Sequence, residues 1–170
     1  STTCSFVLAG AGLKVAKHGN RSISSRTGSA DVLEELGIAL DFQPHEVDEL
    51  LKSTNIAFLF APHVHPKMKR IQVIRKSLGK PTIFNMIGPL TNPVSLSSQL
   101  VGVYRQDKLM PLADVLHRIG RKRAIVLTGA GGMDEASLAG DNHLVLMDEG
   151  DCIPFTLNAQ EVGLSYAPLE

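Results

Sequence analysis

Residues 124–135 read AIVLTGAGGMDE, and the order of residue types in this stretch decides the fold. The unbroken apolar run at 124–127 is typical of a strand buried on both faces of a sheet. A loop rich in glycine follows it and ends on the acidic pair Asp134 and Glu135. In open α/β sheets, ligands bind where such strands end. The stretch therefore predicts a buried strand that leads into a candidate binding loop.

Strands and helices alternate along the rest of the chain. Apolar runs predict further strands at 56–60, 82–84, 100–104, 144–147 and 153–156. Residues 14–16 are too few for the pattern to decide, and a strand there, leading into a polar loop, is one interpretation. Helical spacing of apolar residues predicts helices at 1–12, 29–36, 44–52, 66–78 and 108–119. This alternation predicts an α/β fold with a mainly parallel central sheet flanked by helices, in which residues 1–170 belong to one domain.

Composition narrows the classes of protein. The 170 residues include 17 basic and 17 acidic side chains, so the zero formal charge predicts no general affinity for nucleic acid or for an acidic membrane surface. No apolar run reaches the roughly 18–20 residues that cross a bilayer. Two cysteines make no disulfide framework and indicate a reducing compartment, so we expect a cytoplasmic protein.

A polar loop follows residues 14–16. Residues 17–28 read KHGNRSISSRTG and lead into the helix predicted from Ser29. Cations and hydroxyls bind phosphate oxygens, glycine lets the backbone approach closely, and the N-terminal amides of a helix favour an anion. A solvated basic loop has the same composition, and the P-loop pattern is absent. Composition alone leaves both interpretations open.

The acidic pair also has two interpretations. Adjacent carboxylates after a strand suit a hard divalent cation such as Mg²⁺. Asp134 and Glu135 could equally begin the next helix, where acidic side chains interact favourably with the helix dipole. Spacing alone favours the helix.

Four blocks of sequence, in this order, resemble the signatures of the anthranilate phosphoribosyltransferases. They are KHGNR at 17–21 with SS at 24–25 and GSAD at 28–31, APHVHP at 61–66, NMIGPLTNP at 85–93, and GAGGMDE at 129–135. The resemblance implies an incomplete catalytic domain of the nucleoside phosphorylase and phosphoribosyltransferase type. It also implies transfer of the phosphoribosyl group of phosphoribosyl pyrophosphate to the amine of anthranilate, a step of tryptophan biosynthesis.

The resemblance further assigns roles to single residues. The residues expected to contact phosphoribosyl pyrophosphate are Thr2, Lys17, His18, Gly19, Asn20, Arg21, Ser24, Ser25 and Ser29. Those expected to contact anthranilate are Asn20, Arg75 and His18, with the Arg75 guanidinium on the carboxylate. His18 is equally well interpreted as a structural hydrogen-bonding residue. The expected Mg²⁺ ligands are Ser1, Asp134 and Glu135.

Some features of the family are not found in these 170 residues. The family carries a Gly-Thr-Gly-Gly-Asp loop, N-terminal helices that form a homodimer, and a C-terminal portion. We therefore expect this chain to be the central portion of such an enzyme, and to have little or no activity alone. Two alternatives stay open: a pyrimidine nucleoside phosphorylase, and a non-catalytic phosphate-binding or regulatory module.

Overall fold

The computed structural model describes residues 1–22, 27–80 and 82–169. It divides into two compact units, Ser1–Val94 and Ser95–Glu170, and each contains one sheet. This division into compact units does not test whether residues 1–170 form one domain, so that statement stays a prediction. No helix in the described ranges is long and apolar enough to cross a membrane.

The first unit contains a two-stranded parallel sheet. Its strands are β1 (Val15–Gly19) and β2 (Ile56–Phe60), which pair in register along their whole length. Its helices are α1 (Thr2–Gly10), α2 (Ser29–Glu35), α3 (Pro44–Ser53), α4 (Ala61–Val64), α5 (Lys69–Leu78) and α6 (Phe84–Ile87). Phe58 and Phe60 of β2 are buried against Ala30, Leu33 and Leu40, which explains why β2 is apolar throughout.

The second unit contains a four-stranded sheet. Its strands are β3 (Ser98–Gly102), β4 (Arg123–Thr128), β5 (Asn142–Asp148) and β6 (Asp151–Leu157), in that spatial order. β3 pairs with β4 in parallel, whereas β4, β5 and β6 pair antiparallel. Helix α7 (Leu109–Arg118) packs on β4 and β5. Its apolar side chains recur every three or four residues, and Leu116 is fully buried.

The α/β class predicted from sequence is confirmed, and parallel pairing joins β1 to β2 and β3 to β4. Two local predictions are wrong. β1 continues to Gly19, so Lys17 and His18 lie in the strand and not in the loop after it. The strand predicted at 82–84 does not form, because Phe84 begins α6.

Candidate functional site

The start of α1 and the strand β1 bring two predicted site residues together. The Lys17 ammonium donates a hydrogen bond to the hydroxyl oxygen of Ser1, at 3.0 Å. Ser1 is the N-cap of α1, and Thr2 is its first residue. Thr2 and the Lys17 side chain also line a cavity of about 200 Å³, but most of its other walls are apolar, as Phe6 is. An anion would therefore bind at the Ser1–Lys17 contact and not in the cavity.

The ends of the loop after β1 are held together by Asp31. Its carboxylate accepts hydrogen bonds from the backbone N–H groups of Ser22, at 3.0 Å, and Gly28, at 2.7 Å. These two bonds lower the pKa of Asp31. Asp31 is the last residue of the GSAD motif at 28–31, and its position in the first turn of α2 is a known capping signal that the motif alone does not reveal. Ser24 and Ser25, predicted to contact phosphate, lie outside the described residues.

Three other predicted residues meet at the carboxyl end of β1. A Cβ at Gly19 would overlap the Ser29 hydroxyl and lie 2.9 Å from the Phe58 ring, so the strand packs closely only because residue 19 is glycine. The Ser29 hydroxyl donates to the carbonyl of Asn20, at 3.5 Å. The Asn20 side-chain oxygen accepts the backbone N–H of Arg21, at 2.8 Å. Gly19, Asn20 and Ser29 are thus adjacent, and their expected contact with substrate stays a prediction.

Arg21 makes an ion pair instead of projecting freely. Its guanidinium donates two hydrogen bonds to the carboxylate of Glu34, one of them at 3.1 Å. It also lies 4.7 Å from the centroid of the Phe60 ring. The hydrogen bonds to Glu34 raise the pKa of Arg21. The predicted contact with phosphate stays a prediction, and it requires Arg21 to exchange or share this partner.

His18 and His65 form a ring pair, and both residues are half-buried. The two rings meet edge to face with centroids 5.1 Å apart, and neither Nε2 atom has a hydrogen-bond partner in the described part of the chain. Burial is the main cause that lowers the pKa of His18 to about 4, aided by His65 and Lys17 and opposed by a hydrogen bond to the Gly88 backbone. Since Nε2 is unpaired, Nδ1–H donates to the Gly88 carbonyl, and Nε2 carries the lone pair. His18 is therefore a neutral hydrogen-bond acceptor at neutral pH.

Arg75 lies on α5 and is half-buried. Its guanidinium lies 5.6 Å from the centroid of the Phe84 ring, a distance at which the cation is attracted to the ring face. The attraction to the aromatic ring thus restricts the positions that the guanidinium can take. The predicted contact with the anthranilate carboxylate stays a prediction.

The acidic pair follows β4 in the second unit. The N–H of Gly129 donates to the carbonyl of Met133, at 2.8 Å, and this bond closes the glycine-rich turn after the strand. Asp134 and Glu135 come next, are exposed, and lie in a bend. The alternative that they begin a helix is wrong, because the chain reaches β5 at Asn142 without forming one.

Asp134 and Glu135 suit a hard cation. Both offer exposed carboxylate oxygens, which Mg²⁺ prefers. Among the described residues, no group of three or more His, Cys, Asp or Glu side chains is arranged to hold a metal ion. Mg²⁺ is commonly bound through one or two carboxylates with water and phosphate, and the role of this pair as its ligands stays a prediction. Ser1 belongs to the first unit, and its predicted role as a ligand stays a prediction.

Comparison with known proteins agrees with these observations. The glycosyl transferase family, a/b domain, matches residues 1–170. The chain is 64% identical to the anthranilate phosphoribosyltransferase of Exiguobacterium sibiricum over 170 residues, which is 100% of this chain and 50% of that protein. The resemblance inferred from the four sequence blocks is confirmed. The chain spans about half the length of the curated relatives that it matches.

Solved structures show the same partial match. The crystal structure of anthranilate phosphoribosyltransferase from Thermus thermophilus is 42% identical, with a TM-score of 0.86 over 99% of this chain and 49% of that one. The Saccharomyces cerevisiae enzyme, in complex with phosphoribosyl pyrophosphate and Mg, is 30% identical, with a TM-score of 0.87 over 98% of this chain and 46% of that one.

Proposed function

We propose, from the premise that this chain belongs to the glycosyl transferase family through its a/b domain, that it is the substrate-binding portion of an anthranilate phosphoribosyltransferase. The intact enzyme forms a bond between the amine nitrogen of anthranilate and C1 of the ribose. The bond between C1 and the pyrophosphate oxygen breaks, and the amine loses a proton. The relatives named anthranilate phosphoribosyltransferase support this assignment.

One observation carries the proposal: the hydrogen bond between Lys17 and Ser1 beside a loop closed by Asp31. The Lys17 ammonium can donate to phosphate oxygens and adds a positive charge at the start of α1. Asp31 fixes Ser22 and Gly28, the described residues at the two ends of the loop, before substrate arrives. Preorganised donors stabilise the charge that develops on the departing pyrophosphate.

Asp134 and Glu135 are proposed to hold Mg²⁺. When bound, the ion would neutralise negative charge on phosphate oxygens. The Saccharomyces cerevisiae complex with phosphoribosyl pyrophosphate and Mg supports this choice of cation. The two carboxylates supply charge and oxygen donors, while the closed turn at Gly129 fixes the backbone that carries them.

Anthranilate is proposed to bind through Arg75, Asn20 and His18. The guanidinium of Arg75 matches the substrate carboxylate. The lone pair on His18 Nε2 is buried beside the His65 ring, so it can accept a hydrogen bond from the amine only if one of the two rings moves. Because the pKa of His18 is about 4, this nitrogen is a poor base at neutral pH. His18 is therefore proposed to orient the amine rather than to act as its general base.

The location and assembly of the enzyme are also proposals. We place it in the cytoplasm, since both cysteines of the chain are free thiols, as expected in a reducing compartment. The biosynthetic role that its relatives' names imply agrees with that location. A homodimer follows from the family resemblance alone.

The proposal is tested by inserting this chain in place of the matching residues of the Exiguobacterium sibiricum relative. We expect the chimaera to consume anthranilate and phosphoribosyl pyrophosphate in the presence of Mg²⁺, and the 170-residue chain alone to show little or no turnover. Binding without turnover by the chimaera would indicate a non-catalytic module. Phosphorolysis of a nucleoside by inorganic phosphate would indicate a nucleoside phosphorylase instead.

Two variants of the chimaera assign the roles. Asp134→Ala should abolish the dependence of the rate on Mg²⁺. Arg75→Ala should raise KM for anthranilate far more than KM for phosphoribosyl pyrophosphate. Arg118→Ala, which removes an exposed arginine paired with Asp114, is the control. Equal changes in both KM values for Arg75→Ala would contradict its assignment.

A further inference from the structure

The backbone of the acidic pair lies directly on two glycines. A Cβ at Gly102 of β3 would overlap the carbonyl oxygen of Asp134 and lie 2.6 Å from its carbonyl carbon. A Cβ at Gly129 would overlap the carbonyl oxygen of Glu135 and lie 3.1 Å from its carbonyl carbon. Only glycine at both positions allows this approach. The carbonyl groups of the pair are therefore held against the sheet while both residues stay exposed.

The amide of Asn142 fixes the far end of the same loop. Asn142 is only 4% exposed. Its Oδ1 accepts the backbone N–H of Ser137 at 2.7 Å, and its Nδ2 donates to the Ser137 carbonyl at 3.0 Å. Nδ2 also donates to the carbonyls of Gly140, at 3.3 Å, and Leu157, at 2.9 Å. One buried side chain thus satisfies four backbone groups and joins the loop to β6.

The acidic pair lies between two fixed points of the backbone. On one side, Gly129 is bonded to Met133. On the other, Asn142 is bonded to Ser137 two residues beyond Glu135. Loops without such fixed points sample many conformations, and binding must then order them. The Asn142 amide also lies close to Gly129, since its Oδ1 is 3.2 Å from the Cβ position of that glycine.

We propose that Asn142 is a positioning residue that fixes the loop carrying Asp134 and Glu135, and so raises the affinity of the pair for a divalent cation. This inference rests on the proposed function, because that function assigns the cation to this pair. Asn142 acts through the backbone and donates nothing to the metal. Groups that do not touch the metal but orient its ligands typically contribute about 10–100-fold to metal affinity.

The test compares Asn142→Ala with Asn158→Ala in the chimaera described above. Asn158 is a matched control, because it is also in the second unit and its side chain also accepts backbone N–H groups, those of Gln160 and Glu161. Two quantities are measured: amide hydrogen exchange across residues 129–141, and Mn²⁺ binding by calorimetry in the presence of inorganic pyrophosphate. Asn142→Ser keeps one hydrogen-bonding group and replaces Asn142→Ala if that variant does not fold.

We expect Asn142→Ala to speed exchange in residues 129–141 and to weaken Mn²⁺ binding by about tenfold or more. Asn158→Ala should change neither quantity. Slow exchange in the Asn142 variant would overturn the proposal, because the loop would then be fixed without it. Fast exchange with unchanged Mn²⁺ affinity would also overturn it, while leaving the proposed function intact. If the unsubstituted chimaera binds no Mn²⁺ but its exchange responds to Asn142, the assignment of the cation to this pair is what fails.

Discussion

Lowering the pH should destabilise the protein through His18. The pKa of this imidazole is about 4 in the folded protein, against 6.5 for an unperturbed histidine. The unfolded chain therefore binds more protons below pH 6.5 than the folded chain does. The stability that neutral His18 contributes is present above that pH and is lost as the pH falls toward 4.

The magnitude follows from the two pKa values. If the full shift applied, linkage would give a loss of about 2 kcal/mol in the free energy of unfolding at about pH 5. His18 is only partly buried, so solvent screens part of the effect, and we expect about 1 kcal/mol. The neighbours His65 and Lys17 act in the same direction, since each further lowers the pKa of His18.

The assay is urea unfolding of the wild-type chain and of His18→Gln at about pH 7.5 and about pH 5. The glutamine variant cannot take up the proton. Its free energy of unfolding should therefore fall between the two pH values by about 1 kcal/mol less than that of the wild type. His45→Gln removes an exposed histidine of α3 and should behave like the wild type. Equal losses in wild type and His18→Gln would refute the conclusion that burial keeps His18 neutral.

Three further predictions test how the loops and the core are held. Asp31→Ala should weaken the affinity for phosphoribosyl pyrophosphate, measured by calorimetry, whereas Asp48→Ala, whose carboxylate pairs only locally with a lysine on α3, should not. Leu116→Ala should lower the free energy of urea unfolding by about 2–5 kcal/mol, because it empties a fully buried site, while the half-exposed Leu164→Ala should cost far less. Gly102→Ala should weaken Mn²⁺ binding at the acidic pair, since the new methyl group displaces the backbone beneath it, and unaltered affinity would contradict that packing.

Sequence patterns predict the bounds of the buried strand β2 well and those of β1 poorly. The bounds of β2 follow from its apolar run, because both faces of that strand are covered and every residue must be apolar. The prediction for β1 is too short, because the strand ends in Lys17, His18 and Gly19, polar and small residues of the proposed site that a strand does not favour. The predicted strand at 82–84 is wrong for the opposite reason: its residue types favour a strand, but the chain turns into α6.

The residues that fix the site could not be found from spacing. Asp31 was visible as an acidic residue early in a helix, yet its bond to Ser22 depends on how the chain returns after β1. The role of Asn142 depends on Ser137 and on a strand 15 residues away, which no local pattern reports. Chemistry-bearing residues are recognised by type and motif, whereas the groups that hold them in place are recognised only from tertiary contacts.

The two proposed binding loops are held by different forces, so they should respond to different changes. The loop after β1 is closed by hydrogen bonds to an ionised carboxylate, and protonation of Asp31 removes that charge. Since these bonds lower the pKa of Asp31, its contribution is present at neutral pH and is lost only as the pH falls through that lowered pKa. The loop after β4 is held by close backbone packing on Gly102 and Gly129 and by the neutral amide of Asn142, none of which titrates. Strong acid should therefore loosen the phosphate-binding loop while the backbone of the acidic pair stays in place.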